Sequence, residues 1–191
     1  AFINAGHDAI PCDLLEGEGQ YHKDHYKGNV FDIINNTRNY ESFKNIDLLI
    51  AFPPCTHLCS SGARHFKIKQ KDGRQQEGVD FFMKLINAPI DKICVENPVG
   101  IMSTQHRKPN QIIQPYEYGH DASKKTCLWL KNLPKLQSTS IVPGKLVNGK
   151  TLWANQTPSG QNKLGPSEDR WKLRSTTYQG IADAMAQQWG K

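Results

Sequence analysis

Long apolar runs are missing from this chain. Leu48 to Phe52 is the longest, far short of the roughly 20 residues a helix needs to cross a bilayer. No charged, then apolar, then small-residue pattern opens the sequence, so a secretory leader is not expected. Cysteine is scarce and odd in number: the five are Cys12, Cys55, Cys59, Cys94 and Cys127. Without paired spacing they exclude a disulfide-stapled secreted scaffold and point to a reducing compartment. A soluble cytoplasmic protein is the expectation. Internal repeats and low-complexity tracts are absent, which excludes a solenoid. Acidic residues are outnumbered, 18 against 24 Lys and Arg, for a formal charge of +6. That balance favours an anionic partner such as nucleic acid. At 191 residues the chain suits one domain, burying about 70% of the surface its unfolded form exposes.

What is present centres on Asp47-Leu-Leu-Ile-Ala-Phe-Pro-Pro-Cys-Thr-His57. Leu48 to Phe52 reads as a strand buried on both faces, and Pro53 and Pro54 end it because neither donates to a sheet ladder. Cys55 is then carried on a stiff loop at the strand's carboxyl end, where open α/β sheets bind ligands. Most of the cysteines are expected to fill space in a core, as free cysteines commonly do. About forty residues on, Ile93-Cys-Val-Glu-Asn-Pro98 repeats the design, a short apolar strand whose end presents Glu96 and Asn97 before a proline. Two neighbouring strand ends would offer a thiol and a carboxyl to one crevice.

The rest of the chain is punctuated in the same terms. Ala1 to His7 reads as a helix end stopped by Gly6, followed by a strand from Asp8 to Asp13. Asp13 closes that strand, a position equally suited to an ordinary loop acid and to a contact with a nucleotide ribose. His22 and His25 lack cysteine or acidic partners at ligand spacing, and Cys55, His57 and Cys59 lack a second pair to complete a zinc site. Arg64, Lys67, Lys69 and Lys71 form a basic run beside Cys55, either a solvated face or a phosphate-holding one. Val79, Phe82, Met83 and Ile86 recur at helical spacing between Gly78 and Asn87. Beyond Asn97 a loop is expected to His106, then strands over Gln111 to Tyr116 and Thr126 to Leu130. Residues 131–170, rich in Pro, Gly, Ser, Asn and Gln, read as an extended, mobile insertion. Thr177 to Trp189 reads as a closing helix.

Pro53-Pro54-Cys55 and Glu96-Asn97-Pro98-Val99, in this order and at this spacing, resemble the nucleophile and Glu-Asn motifs of DNA cytosine-5 methyltransferases. The likeness is closest to the compact cytosine methyltransferase-like proteins of phages and prophages. It extends over Ile112-Ile-Gln-Pro-Tyr-Glu-Tyr-Gly-His120, Thr126-Cys-Leu-Trp-Leu130 and Asp169-Arg-Trp-Lys-Leu-Arg174. The resemblance implies an α/β, Rossmann-like S-adenosylmethionine-dependent methyltransferase fold in one domain, 1–191. In it, 131–170 serves as a short loop-rich insertion or minimal recognition region. The family opens with a strand and a glycine-rich turn for the methionine part of the donor. This sequence begins after both, and the expectation is that it is a trimmed version of a longer protein.

The resemblance also implies roles. Cys55 would be the nucleophile, Glu96 the acid at ring nitrogen N3, Asn97 the residue that orders its loop, and Lys125 a basic side chain for the base's carbonyl oxygen. Asp13, Asn29, Pro53 and Gly180 would contact S-adenosylmethionine; no metal is implied. Asn29 stands where the family has an acid that meets the donor's adenine amine, and its amide oxygen still accepts a hydrogen bond. The partner would be DNA with a flipped-out or single-stranded cytosine. Two alternatives remain: an inactive basic nucleic-acid-binding relative, and a pyrimidine methyltransferase acting on free nucleotides. An amino methyltransferase fits less well, because Phe52 precedes and Cys55 follows the two prolines, where such enzymes place a polar residue and an aromatic one.

Overall fold

The computed structural model describes residues 1–17, 25–36 and 44–191. Its centre is a four-stranded mixed sheet in the order β3-β4-β6-β5: β3 is Leu48–Ala51, β4 Lys92–Pro98, β5 Gln111–Ile113 and β6 Thr126–Lys131. β3 runs parallel to β4, with Ala51 opposite Val95. β6 runs antiparallel to both β4 and β5, with Glu96 opposite Leu128 and Pro98 opposite Thr126. The carboxyl ends of β3 and β4 and the start of β6 therefore share one edge of the sheet.

Side chains alternate across the pleat, and the alternation builds two cores. Ile93, Val95 and Trp129 face the helix Arg74–Ile86, labelled α3, meeting Phe82, Leu85 and Ile86. Phe82 sits edge-on to Trp129, ring centroids 5.1 Å apart, a favoured aromatic geometry. Cys94, Leu128 and Leu130 face the opposite way, onto Ile181, Ala184, Met185 and Trp189 of the helix Gln179–Trp189, α6. Helices thus cover both faces of a mixed α/β layer, as a sheet with parallel strands requires. No helix among the described residues is long and apolar enough to cross a membrane.

The expected helix around Val79 to Ile86 is α3, and the closing helix is α6. Four expectations are corrected. β3 is half-buried except at Ala51, because among the described residues it pairs only with β4, and Phe52 beyond it is 50% exposed. The strand expected over Asp8 to Asp13 shrinks to β1, Cys12–Asp13, paired in parallel with β2, Tyr26–Lys27; Pro11 ends the ladder by lacking a donor. Gln111 to Tyr116 stops as a strand at Ile113, since Pro115 opens a 3-10 turn over Pro115–Glu117 with a Gln114–Glu117 capping box. The loop expected before His106 holds a short helix, Met102–Gln105. The amino-terminal turn, Ile3–Ala5, ends at Gly6 with φ 87°, as glycine allows.

Residues 131–170 are loop-rich, with one hairpin of Lys145–Val147 and Lys150–Leu152. The segment is tied to the body of the molecule. Trp153 stacks on Tyr116 at 4.1 Å and 9°, Leu136 is 1% exposed, and the Asn155 side chain bonds the Ser123 backbone in both directions at 2.9 Å.

Candidate active site

Cys55 leaves β3 on a turn that is pinned from three sides. Its carbonyl accepts the N–H groups of Leu58 (3.0 Å) and Cys59 (2.9 Å). From the helix Phe66–Lys71, α2, the Lys69 ammonium donates to the Thr56 carbonyl at 2.5 Å. From α3, the Gln75 amide donates to the His57 carbonyl at 3.3 Å. From the exit of β4, the Ile101 N–H donates to the Leu58 carbonyl, and the Ser60 N–H donates to the Val99 carbonyl, both at 3.0 Å. A Cβ at Gly100 would overlap the Leu58 carbonyl, so only glycine permits this approach. Leu58, with no exposed surface, plugs the turn into the α3 core.

The pleat separates Glu96 from Asn97. Asn97, 1% exposed, turns to the α3 side and donates its amide to the Pro53 carbonyl at 3.0 Å. Glu96 turns to the α6 side, into a small solvent-open cleft lined by Phe52, Lys124, Thr126, Tyr178, Ile181 and Met185 among others. Burial raises the Glu96 carboxyl to about 7, with Lys124 pulling the other way. Lys124 is in turn lowered by burial, while Glu96 and Cys55 favour its charge. Cys55, Glu96 and Lys124 therefore feel one another across adjacent strand tips.

The basic residue at this place is Lys124 and not Lys125. Lys125 is exposed, one residue nearer β6 and thus on the other side of the chain. Lys124 is held over the cleft by the Arg174 carbonyl at 2.8 Å and that of Thr176 at 3.5 Å. Arg174 belongs to the short helix Arg170–Ser175, α5. Of the basic run, Arg64, Lys67 and Lys71 are exposed, whereas Lys69 is 8% exposed and spent on Thr56. It is a strut of the Cys55 turn.

Cys59 follows Cys55 on the same turn, with its N–H on the Cys55 carbonyl at 2.9 Å and its sulfur 3.1 Å from the Ser61 hydroxyl. The neighbouring Cys55 thiol, the Ser61 hydroxyl and the charge of Arg174 lower Cys59 below the usual thiol range. The neighbouring Cys59, burial and the charge of Glu96 push Cys55 up. In the sequence the pair shows as two cysteines four apart after two prolines, the same spacing that offers half of a zinc site.

The four residues expected to contact a methyl donor do not share one cradle. Asp13 and Asn29 stand together and exposed at the carboxyl ends of β1 and β2, linked by the Gly28 N–H on the Asp13 carbonyl at 2.9 Å. One oxygen of Asp13 takes the Leu15 N–H, and the Asn29 oxygen caps α1, Val30–Ile34, through the Phe31 N–H. Asp13 keeps a free carboxylate oxygen direction and Asn29 its amide donors, a set suited to ribose hydroxyls and a ring nitrogen. Pro53 is buried with its carbonyl on Asn97. Gly180 lies against the Tyr118 carbonyl, where a Cβ would overlap, and its N–H donates to His120 Nε2 at 2.9 Å. Its role here is close packing of α6. His22 lies outside the described residues.

Searches against protein-family models, curated proteins and solved structures each returned no match to this chain.

Proposed function

We propose that this chain carries the catalytic chemistry of a DNA cytosine-5 methyltransferase, built on a Rossmann-like methyltransferase sheet and working in a cytoplasm. The observation that carries the reading is geometric: β3 and β4 end side by side, tied by the Asn97 amide on the Pro53 carbonyl, so that Cys55 and Glu96 leave neighbouring strand tips beside a cleft that Glu96 and Lys124 line. Carbon 5 of cytosine is a poor nucleophile until a thiolate adds to carbon 6, which makes carbon 5 an enamine carbon. Cys55 is the thiol for that addition. Glu96 holds its proton to about pH 7 because it is buried, so it can protonate or hydrogen-bond N3 and draw electrons from carbon 6. Lys124 faces the same cleft and suits the carbonyl oxygen at carbon 2. Phe52 and Tyr178 on the cleft wall offer apolar faces to a base withdrawn from its stack.

S-adenosylmethionine, when bound, supplies an electrophilic methyl carbon, and Asp13 and Asn29 are the residues suited to its nucleoside end. The chain's own part finishes with loss of the carbon 5 proton and breakage of the carbon 6 to sulfur bond, which returns the electron pair to Cys55. Arg64, Lys67 and Lys71, exposed beside the Cys55 turn, suit a phosphate backbone.

Oligonucleotides containing 5-fluorocytosine, incubated with S-adenosylmethionine, test this directly, because fluorine cannot leave and the adduct persists. A covalent product mapped to Cys55 and lost in Cys55→Ser is expected. An adduct on any other cysteine, or an undiminished one in the variant, refutes the assignment.

A further inference from the structure

All of the chain's surplus positive charge lies in one stretch. Residues 122–167 hold seven lysines with no acid and no arginine, while the rest of the chain carries 17 basic residues against 18 acidic ones. Three of the seven ammoniums are bonded to backbone carbonyls: Lys124 as described, Lys131 on Ala88 and Ile90, and Lys163 on Ala154. Lys145 and Lys150 are exposed on the hairpin, and among the described residues no carboxylate pairs with them. Register sets Lys145 opposite Leu152 and Lys150 opposite Val147. Both lysines therefore lie on one face, diagonal neighbours with stems roughly 7–8 Å apart. Like charges held in this way repel, and an anion lying across them relieves the repulsion. The hairpin is also stiff. Its turn places Asn148 at φ 50° and Gly149 at φ 75°, the two-residue geometry that matches strand twist. At its base the Trp153 indole N–H donates to the Val142 carbonyl at 3.1 Å, and the Val142 N–H donates to the Tyr116 carbonyl at 2.8 Å.

What the stretch lacks selects the partner. Base edges are read chiefly by arginine and by free Asn or Gln amides. Arginine is absent from 131–167, and five of the seven Asn and Gln side chains there, Asn132, Gln137, Asn155, Gln156 and Asn162, are bonded within the protein. Single strands are gripped by stacking on exposed aromatic rings. Trp153 is the one aromatic residue from 131 to 167, and its ring is already stacked on Tyr116. A lipid surface needs a broad apolar face to enter; the hairpin's other face offers Leu146 beside Thr151 and nothing more. Lysine as a point charge remains, and that chemistry suits phosphate. We propose that the face of the hairpin bearing Lys145 and Lys150 docks on the phosphate backbone of duplex nucleic acid without reading its sequence. The segment expected to recognise a target thus holds a duplex and does not choose one. The inference rests on the proposed function for taking that duplex to be DNA, while the surface itself is argued apart from the cysteine chemistry.

The test is fluorescence anisotropy of the full chain, without methyl donor, on two DNA duplexes of equal length and unrelated sequence, from about 50 to 200 mM salt. Both duplexes are expected to bind with affinities within about twofold of each other, since phosphate contacts carry no sequence information. Lys145→Ala and Lys150→Ala should each flatten the dependence of log affinity on log salt by about one, equally on both duplexes. Lys145→Arg with Lys150→Arg keeps the charge and should keep the slope, and Thr151→Ala on the other face should leave it unchanged. Both lysines are exposed, so melting temperatures are expected to hold in every variant. Original slopes in both alanine variants overturn the proposal. So does a strong preference for one duplex that the alanine variants abolish, tighter binding to the matching single strand, or binding to anionic vesicles in place of DNA. Salt slopes as expected without a covalent adduct on 5-fluorocytosine DNA count against methyl transfer and not against the docking face.

Discussion

The side-chain amide of Asn97 donates to the carbonyl of Pro53 at 3.0 Å, so the tip of β4 holds the turn that leaves the tip of β3. The two motifs that flank the cleft are in this way one mechanical unit. Glu96 is aimed at the α6 side while its neighbour Asn97 braces Cys55 from the α3 side. A two-residue sequence performs both tasks because successive side chains in a strand point to opposite faces.

Asn97→Ala removes the donor and strands the Pro53 carbonyl in the interior. A loss of about 1–3 kcal/mol is expected, measured by urea unfolding, with faster iodoacetamide access to Cys55 in the folded state as the local readout.

Glu96→Gln separates stability from chemistry. The carboxyl, raised from 4.5 to about 7, binds its proton more tightly folded than unfolded, so stability falls as pH rises from about 4.5 through about 7. Above that window the charged, buried form costs about 3 kcal/mol at most. The glutamine variant should lose this slope and be more stable than the original at pH 8, while adduct formation on 5-fluorocytosine DNA drops. Parallel unfolding curves at pH 5 and pH 8 for the two proteins check the sign.

Gly180→Ala sets a Cβ onto the Tyr118 carbonyl, which is backbone and cannot swing aside. Destabilisation of about 2 kcal/mol or more is expected, seen as a lower melting temperature. An equal melting temperature would mean that α6 does not seat against Tyr118.

Lys69→Met and Lys67→Ala should behave oppositely although the residues are two apart. Lys69 is a buried strut on Thr56, so its loss should lower stability by about 1–3 kcal/mol. Lys67 is exposed, so its loss should leave stability within about 0.5 kcal/mol. If the exposed residues meet phosphates, each removal should flatten the dependence of log affinity on log salt by about one.

Local chemistry made part of this protein legible in advance. Two prolines cannot extend a ladder, so the ends of β3 and β4 were readable, and with them Cys55, Glu96 and Asn97. Apolar spacing in the 3.6-residue period marked α3. Lys124 was missed in favour of Lys125 although the start of β6 at Thr126 is legible, because what holds Lys124 over the cleft is a pair of backbone carbonyls, Arg174 and Thr176, 50 and 52 positions on. The tie between Trp153 and Tyr116 was missed because a stacked pair 37 positions apart leaves no periodic trace in a loop-rich stretch.

The amino-acid order by itself determined where backbone pairing must stop, which segments are amphipathic, and that the charge is net basic, since these follow from each residue's own donors, shape and ionisation. Only the tertiary structure decided which lysine is a strut and which is exposed, that Asn97 braces the Pro53 carbonyl, and that burial raises the Glu96 carboxyl to about 7. Those properties depend on distance and solvent exclusion between segments far apart in the chain, and no local pattern records them.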